Sequence, residues 1–216
     1  MKRILVITNP AAARGGATRV LNKVKQLTTE HDDCCSFDFV MTERPGHATE
    51  LTREKASAYD LVAAFGGDGT INEVANGLAG GNTPMGVIPN GTGNDFARSA
   101  GIPRNPRAAI ELLCKGIPEP IDLGVANGRY FTNSVGIGFV GQANYESAQI
   151  TRIKGSLVFI LAVLKTMWSW KAAPMTVIVD GQTIVHPDDP TYLVGIGNGW
   201  SIGGGMKLNP DARLDS

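Results

Sequence analysis

Cysteine is scarce in this chain: three occur in 216 residues, two of them adjacent at Cys34 and Cys35. That number and spacing exclude a disulfide framework and match no zinc-ligand pattern, so a reducing cytosol is the expected setting. An excess charge of one sign is also missing. Lysine plus arginine number 20 and aspartate plus glutamate number 20, for a formal net charge of zero. General attraction to nucleic acid or to an anionic bilayer is thereby removed, and no nucleic-acid partner is expected. The most apolar stretch, residues 157–164, is bracketed by Arg152, Lys154, Lys165 and Lys171, and it falls short of the ~20 residues that span a bilayer. The N-terminal apolar run is cut by Asn9-Pro10 before it takes the form of a signal peptide. Neither internal repeats nor low-complexity tracts occur.

What the chain does have is glycine at pointed positions. Phe65-Gly66-Gly67-Asp68-Gly69-Thr70-Ile71-Asn72-Glu73 follows the apolar run Leu61-Val62-Ala63-Ala64 and opens a segment with helical spacing at Ile71, Val74, Ala75 and Leu78. This reads as strand, glycine turn, helix. Such a turn lets an anion approach the main chain while the helix start offers unpaired N–H groups and a positive dipole end, which suits a phosphate. Asp68 is the odd member, because a carboxylate among phosphate-binding amides repels the ligand unless a divalent cation or a proton sits between them. The turn therefore points to phosphoryl transfer with Mg²⁺, with Asp68 as the candidate metal-orienting acid.

Along the chain, residues 4–8 read as a strand covered on both faces, with the loop 9–16 at its C-terminal end, where open α/β sheets bind ligands. Val20, Val24 and Leu27 recur at helical spacing, Phe37, Phe39 and Met41 alternate as a second strand, and Ala48, Leu51 and Ala56 mark a helix before the third. Residues 85–89 form a fourth strand, followed by a second glycine loop, Asn90-Gly91-Thr92-Gly93-Asn94-Asp95-Phe96-Ala97-Arg98. Strand-helix alternation predicts a parallel sheet, and after a helix over residues 107–115 the prolines Pro118 and Pro120 break the pattern. A domain boundary is placed there, giving domains 1–118 and 119–216. The second half reads as mainly antiparallel β, with hairpin signals at Asn127-Gly128 and Asp180-Gly181.

Taken together, Asn9-Pro10, Thr42 with Gly46-His47-Ala48, the turn from Gly66 to Val74, Gly91-Thr92-Gly93-Asn94-Asp95-Phe96-Ala97, Ile121-Asp122-Leu123-Gly124, and Gly197-Asn198-Gly199 with Gly203-Gly204-Gly205 resemble the bacterial diacylglycerol kinase and YegS-like lipid kinase family. The resemblance spans nearly the whole chain. It implies an NAD-kinase-like α/β domain, a parallel sheet with flanking helices, followed by a β-sandwich domain, with ATP and a lipid alcohol bound in a cleft between them. It implies ATP contacts at Asn9, Thr42, Gly66, Gly67, Asp68, Gly69, Thr70 and Thr92. It also implies a cytoplasmic protein with peripheral contact at the inner membrane face, and homodimerisation is a further expectation. Family members continue past the point where this chain stops and supply a carboxylate in an Asp-Gly-Glu segment, so a C-terminally truncated chain, incomplete in its second domain, is expected. A structural Mg²⁺ site of the family falls near Arg213 and Ser216, where serine stands in place of an acid.

Several residues carry two readings from their positions. Asp95, at the second helix start, and Asp122, just past the boundary, are acids able to converge with Asp68 through metal-bound water; they are equally an ordinary N-terminal helix acid and a solvated strand residue. Asp68 itself has the alternative of a simple turn aspartate. Asn72 and Glu73 are candidates for ribose or substrate, although a first helical turn favours acids anyway. His47 is more readily structural than catalytic. Residues 157–164, with Trp168 and Trp170 beyond, form either a core helix or an acyl-chain or membrane-facing surface. The leading functional expectation is an ATP- and Mg²⁺-dependent lipid kinase acting on a diacylglycerol-like hydroxyl. The alternatives are an NAD kinase-like enzyme and a nucleotide-binding regulatory protein without catalysis.

Overall fold

The structure is a computed structural model and describes residues 1–10, 17–31, 33–150, 156–186 and 188–215. Residues 11–16 of the loop after the first strand, Arg152, Lys154 and Ser216, all named above, lie outside that set. The chain divides into two compact units, Met1–Asn133 with Asn198–Ser216, and Ser134–Gly197.

The first unit begins with β1 (Lys2–Thr8), α1 (Ala17–Thr28), β2 (Cys35–Met41), α2 (His47–Lys55), β3 (Leu61–Gly66), α3 (Asp68–Leu78), β4 (Met85–Pro89), α4 (Asp95–Ser99) and α5 (Pro106–Lys115). Its four strands form a parallel sheet in the order β2-β1-β3-β4. Alternation along the strands sends successive side chains to opposite faces. Ile4, Val6, Ala63 and Phe65 meet Val24 and Leu27 of α1 and Ile110 and Leu113 of α5. Leu5, Ile7, Val62 and Ala64 meet Leu51 of α2, Ile71 and Val74 of α3, and Phe96 of α4. Both faces being covered explains why residues 4–7 are continuously apolar and fully buried. α5 starts where Asn105 accepts the Arg107 N–H on its side chain and Pro106 fills the first turn.

The same unit adds a hairpin of β5 (Gly124–Ala126) and β6 (Arg129–Phe131). Asn127 and Gly128 take φ of 50° and 74°, both in the left-handed region that a two-residue turn of this kind requires. α3 holds the hairpin by side-chain amides acting as a strand edge. Asn76 Nδ2 donates to the Tyr130 carbonyl at 2.8 Å and its Oδ1 accepts the Tyr130 N–H at 3.1 Å.

The second unit comprises β7 (Ser134–Gly138), α6 (Phe139–Gln149), α7 (Ser156–Ser169), β8 (Ala173–Pro174), β9 (Val177–Val179), β10 (Gln182–Val185), β11 (Pro190–Thr191) and β12 (Leu193–Gly197). β7 and β12 pair antiparallel, as do β9 with β10 and β8 with β11. Asp180 and Gly181 turn the β9–β10 hairpin with φ of 51° and 79°. Two helices thus join the expected antiparallel strands, and α6 lacks the continuous apolar run that marks α7 in the sequence. α7 is buried on some positions and exposed on others. Val158, Ala162 and Thr166 are buried, whereas Ile160, Leu164 and Met167 are exposed and Trp168 is 92% exposed. No helix of the described residues is long and apolar enough to cross a membrane. The chain then returns to the first unit with β13 (Ser201–Ile202) and β14 (Met206–Lys207), an antiparallel pair turned by Gly203, Gly204 and Gly205 at positive φ.

Candidate functional site

Parallel strands deliver their following loops to one sheet edge, and here β1, β3 and β4 bring Asn9 and both glycine loops together. The two loops touch through their backbones. A Cβ on Gly91 would lie 2.5 Å from Gly67 Cα, and one on Gly67 would lie 3.1 Å from Gly91 Cα. The Asn90 N–H donates to the Gly66 carbonyl at 2.7 Å. Gly66 serves a separate purpose, since its Cβ would collide with Thr70 Oγ1 at 2.5 Å, while Gly69 faces open space. The second loop is locked by Asn94, which sits at φ 52°, accepts the Gly91 N–H at 2.8 Å and donates to the Gly91 carbonyl at 2.9 Å. Beside these loops lies a cavity of about 450 Å³ lined by Asn9, Thr42, Gly67, Gly69, Thr70, Glu73, Gly91 and Thr92, together with Glu43 and Arg44. Its volume falls in the range of small-molecule sites, and the first N–H groups of α3 have no intrahelical partner.

Two of the three candidate acids are brought together. Asp68 is half-buried, its Oδ1 accepting the Phe96 N–H at 3.0 Å. Burial pushes its carboxyl pKa above the usual aspartate range; the Phe96 N–H opposes this and the neighbouring Asp95 charge adds to it. Asp95 is buried and fully engaged. Its Oδ1 pairs with Arg98 Nη1 at 2.9 Å and accepts from Ser201 Oγ at 2.7 Å, and the Gly204 N–H reaches both oxygens at 3.0 Å. Arg98 in turn donates to Ser201 Oγ at 3.0 Å and to the Gly93 carbonyl at 3.2 Å. Asp122 is exposed, and its backbone is fixed by its own N–H donating to the Leu214 carbonyl and by its carbonyl accepting from Asn198 Nδ2.

The remaining candidates separate into lining and bracing groups. Asn9 Nδ2 donates to Thr70 Oγ1 at 3.3 Å, and Thr42 is held by its N–H donating to the Thr8 carbonyl at 2.9 Å. Thr92 is exposed on the cavity wall. Glu73 also lines the cavity, but its carboxylate accepts the N–H groups of Gly46 and Ala48 at the start of α2, at 2.9 and 3.2 Å. Asn72 turns away to the hairpin, accepting the Thr132 N–H at 3.1 Å and donating to the Tyr130 carbonyl at 3.2 Å. His47 Nδ1 accepts the Glu43 N–H at 3.1 Å and so shapes the turn before α2. Arg213 is exposed, its Nε 3.4 Å from Asp215 Oδ1, and Ser216 lies outside the described residues.

Sequence reasoning missed Arg98, Ser201 and Arg44. Arg98 stands one helical turn from Asp95, a spacing that signals an ion pair, whereas Ser201 is 106 residues from Asp95 and carries no local sign of its role.

For Mg²⁺, the hard carboxylate oxygen of Asp68 beside the glycine turn is a donor of the right chemistry. The buried Asp95 is paired with Arg98 and held by Ser201 and Gly204.

Comparison with known proteins agrees with this geometry. The diacylglycerol kinase catalytic domain family matches residues 3–126, and the YegS C-terminal NAD kinase beta sandwich-like domain matches residues 133–216. A diacylglycerol kinase of Bacillus subtilis (strain 168) is 37% identical over 100% of this chain and 71% of its own length. One from Staphylococcus aureus (strain MRSA252) is 36% identical over 99% of this chain and 68% of its own. A crystal structure of a diacylglycerol kinase from Bacillus anthracis str. Sterne superposes with a TM-score of 0.76 at 33% identity, covering 100% of this chain and 70% of that one. The chain belongs to the diacylglycerol kinase catalytic-domain family, and it is an enzyme of the lipid kinase kind.

Proposed function

We propose that the protein transfers the γ-phosphate of ATP to the hydroxyl of a diacylglycerol-like lipid, with Mg²⁺ as the accompanying cation. The observation that carries this reading is the pair of backbone-packed glycine loops beside a cavity of about 450 Å³, with Asp68 held half-buried against the second loop. Phosphoryl transfer depends on positioning and charge neutralisation more than on covalent chemistry, and these parts are suited to that task. The amides opening α3 receive phosphate oxygens, Thr42 and Thr92 line the cavity for the rest of the nucleotide, and Asn9 steers the Thr70 hydroxyl. Mg²⁺ bound by Asp68, directly or through water, would neutralise charge on the transferring phosphate. Asp95 and Arg98 keep the second loop in register.

The kinase family supports ATP as donor and a lipid as acceptor. Peripheral membrane contact is supported by the exposed Ile160, Leu164, Met167 and Trp168 of α7, since exposed apolar side chains with a Trp suit the bilayer interface. The test is radiolabelled γ-phosphate transfer in mixed micelles, with diacylglycerol or NAD offered as acceptor, by the wild-type chain and by Asp68→Asn. Transfer to diacylglycerol that disappears in the variant is expected. Wild-type rates in Asp68→Asn, or transfer to NAD alone, would sink the proposal.

A further inference from the structure

All three cysteines of the chain gather at the sheet edge opposite the glycine loops, about 20 Å away along the strands. We propose that His31, Cys34 and Cys114 form a binding site for a borderline-soft divalent cation, zinc being the best chemical fit. The spacing of Cys34 and Cys35 matched no zinc pattern by itself; the fold changes that by bringing in Cys114 from the end of α5. One imidazole nitrogen and the two Sγ atoms of this set all lie within 4.8 Å of one another. A tetrahedral zinc centre, with Zn–S near 2.3 Å and Zn–N near 2.0 Å, sets its ligand atoms about 3.5–3.8 Å apart. Closure therefore needs roughly 1 Å of side-chain movement, within reach of a rotation at the exposed Cys34.

The backbone already presents the ligands. The short 3₁₀ turn Thr29–His31 leads to Cys34, whose N–H donates to the His31 carbonyl at 3.1 Å and whose Sγ lies 3.5 Å from the same oxygen. Cys114 is the penultimate residue of α5, where the negative end of the helix dipole favours a cation. Cys34 is exposed and the other two ligands are half-buried, so an ion has an entry path and the fourth position is open to water.

Charges around the cluster are balanced. Glu111 acts on His31 and Asp33 on Cys34, while Lys115 pairs with Glu111 and Lys2 donates to the Leu113 carbonyl. Two thiolates and one divalent cation then add no net charge. Burial, with help from Cys35 and Cys34, pushes the Cys114 thiol well above its ordinary value, so it stays protonated until a metal replaces the proton. Binding releases both thiol protons to solvent and oxidises nothing. The site lies a strand length from the glycine loops and depends on neither the kinase reading nor the acceptor lipid.

The test is titration of the metal-free chain with Co²⁺ in the presence of a phosphine reductant, followed by absorbance. Expected are near-ultraviolet thiolate-to-cobalt charge-transfer bands with intense tetrahedral d–d bands, displaced by equimolar Zn²⁺, and a higher melting temperature with Zn²⁺. Cys34→Ser and Cys114→Ser each abolish the charge-transfer contribution of one sulfur and weaken binding by about 10–100-fold or more, and His31→Gln weakens it without removing the sulfur bands. Cys34→Ser is the decisive variant, since an exposed residue leaves the metal-free melting temperature unchanged. Weak octahedral cobalt bands, or binding undiminished in Cys34→Ser, would overturn the proposal.

Discussion

The two glycine loops share a plan: each ends a strand of the same sheet, and each opens a helix whose first residue is an aspartate, Asp68 in α3 and Asp95 in α4. The two acids nonetheless have opposite environments. Asp95 collects a guanidinium, a hydroxyl and a backbone N–H within its own unit. Asp68 is met only by backbone N–H groups, that of Phe96 at 3.0 Å with those of Asp95 and Asn94 acting beside it, and burial still leaves its charged form disfavoured. A buried carboxylate is costly unless its charge is compensated, and Asp95 has a guanidinium for that purpose where Asp68 has only N–H dipoles. On the proposed function, the second loop holds position and the first acts.

The largest test of this contrast is Asp68→Asn, which keeps the oxygen that accepts from Phe96 but removes the charge. Turnover falls by about 10²–10⁴-fold, while thermal melts at neutral pH show stability retained or raised. Asp95→Asn does the reverse in kind. It leaves Arg98, whose side chain is only 23% exposed, without its counter-charge, and denaturant unfolding should record a loss of about 3–5 kcal/mol. Next comes Gly91→Ala, whose methyl would press on Gly67 Cα at 2.5 Å. Forcing the loops apart costs about 1–3 kcal/mol and weakens nucleotide binding by calorimetry. Ser201→Ala removes one of the contacts to Asp95 and spares the others, so a loss of about 1 kcal/mol is expected in the same unfolding assay.

The smallest effect is on pH dependence. Because the folded-state pKa of Asp68 is raised, the native state binds more protons there than the unfolded chain. Its contribution to stability is present at low pH and is lost as pH rises from the ordinary aspartate value, about 3.9, through the raised one. Melts of wild type and Asp68→Asn should therefore diverge in that window, the variant gaining relative stability as pH rises. A constant difference across it would erase the distinction between the two acids.

Much of this was readable because it is local. Residues 61–70 announce strand, turn and helix by composition, and β3 and α3 lie where that reading puts them. Asn127-Gly128 and Asp180-Gly181 take the left-handed conformations that make such pairs turn hairpins. The bracing of the site was not readable, because it is long-range. Asp95 finds Ser201 and Gly204 at separations of 106 and 109 residues, and no periodicity spans such a distance. The contacts of the Asn72 amide to Tyr130 and Thr132, 58 and 60 residues away, were equally unreadable. The proximity of Cys114 to Cys34 was unreadable for the same reason, since it comes only through the packing of α5. Strands as short as β8, β11, β13 and β14 are two residues long and cannot display alternation at all.

The 109-residue reach from Asp95 to Gly204 also dictates an order of assembly. Every strand of the parallel sheet is made by residue 89, so the sheet can close early on the emerging chain. The Asp95–Arg98 pair must then wait, only partly shielded, until the β13–β14 hairpin arrives to cap it. Closing so long a loop is slow although its entropic cost rises only gently with length. A chain interrupted before residue 201 would carry all four strands of the parallel sheet but lack the Ser201 and Gly204 contacts that hold Asp95.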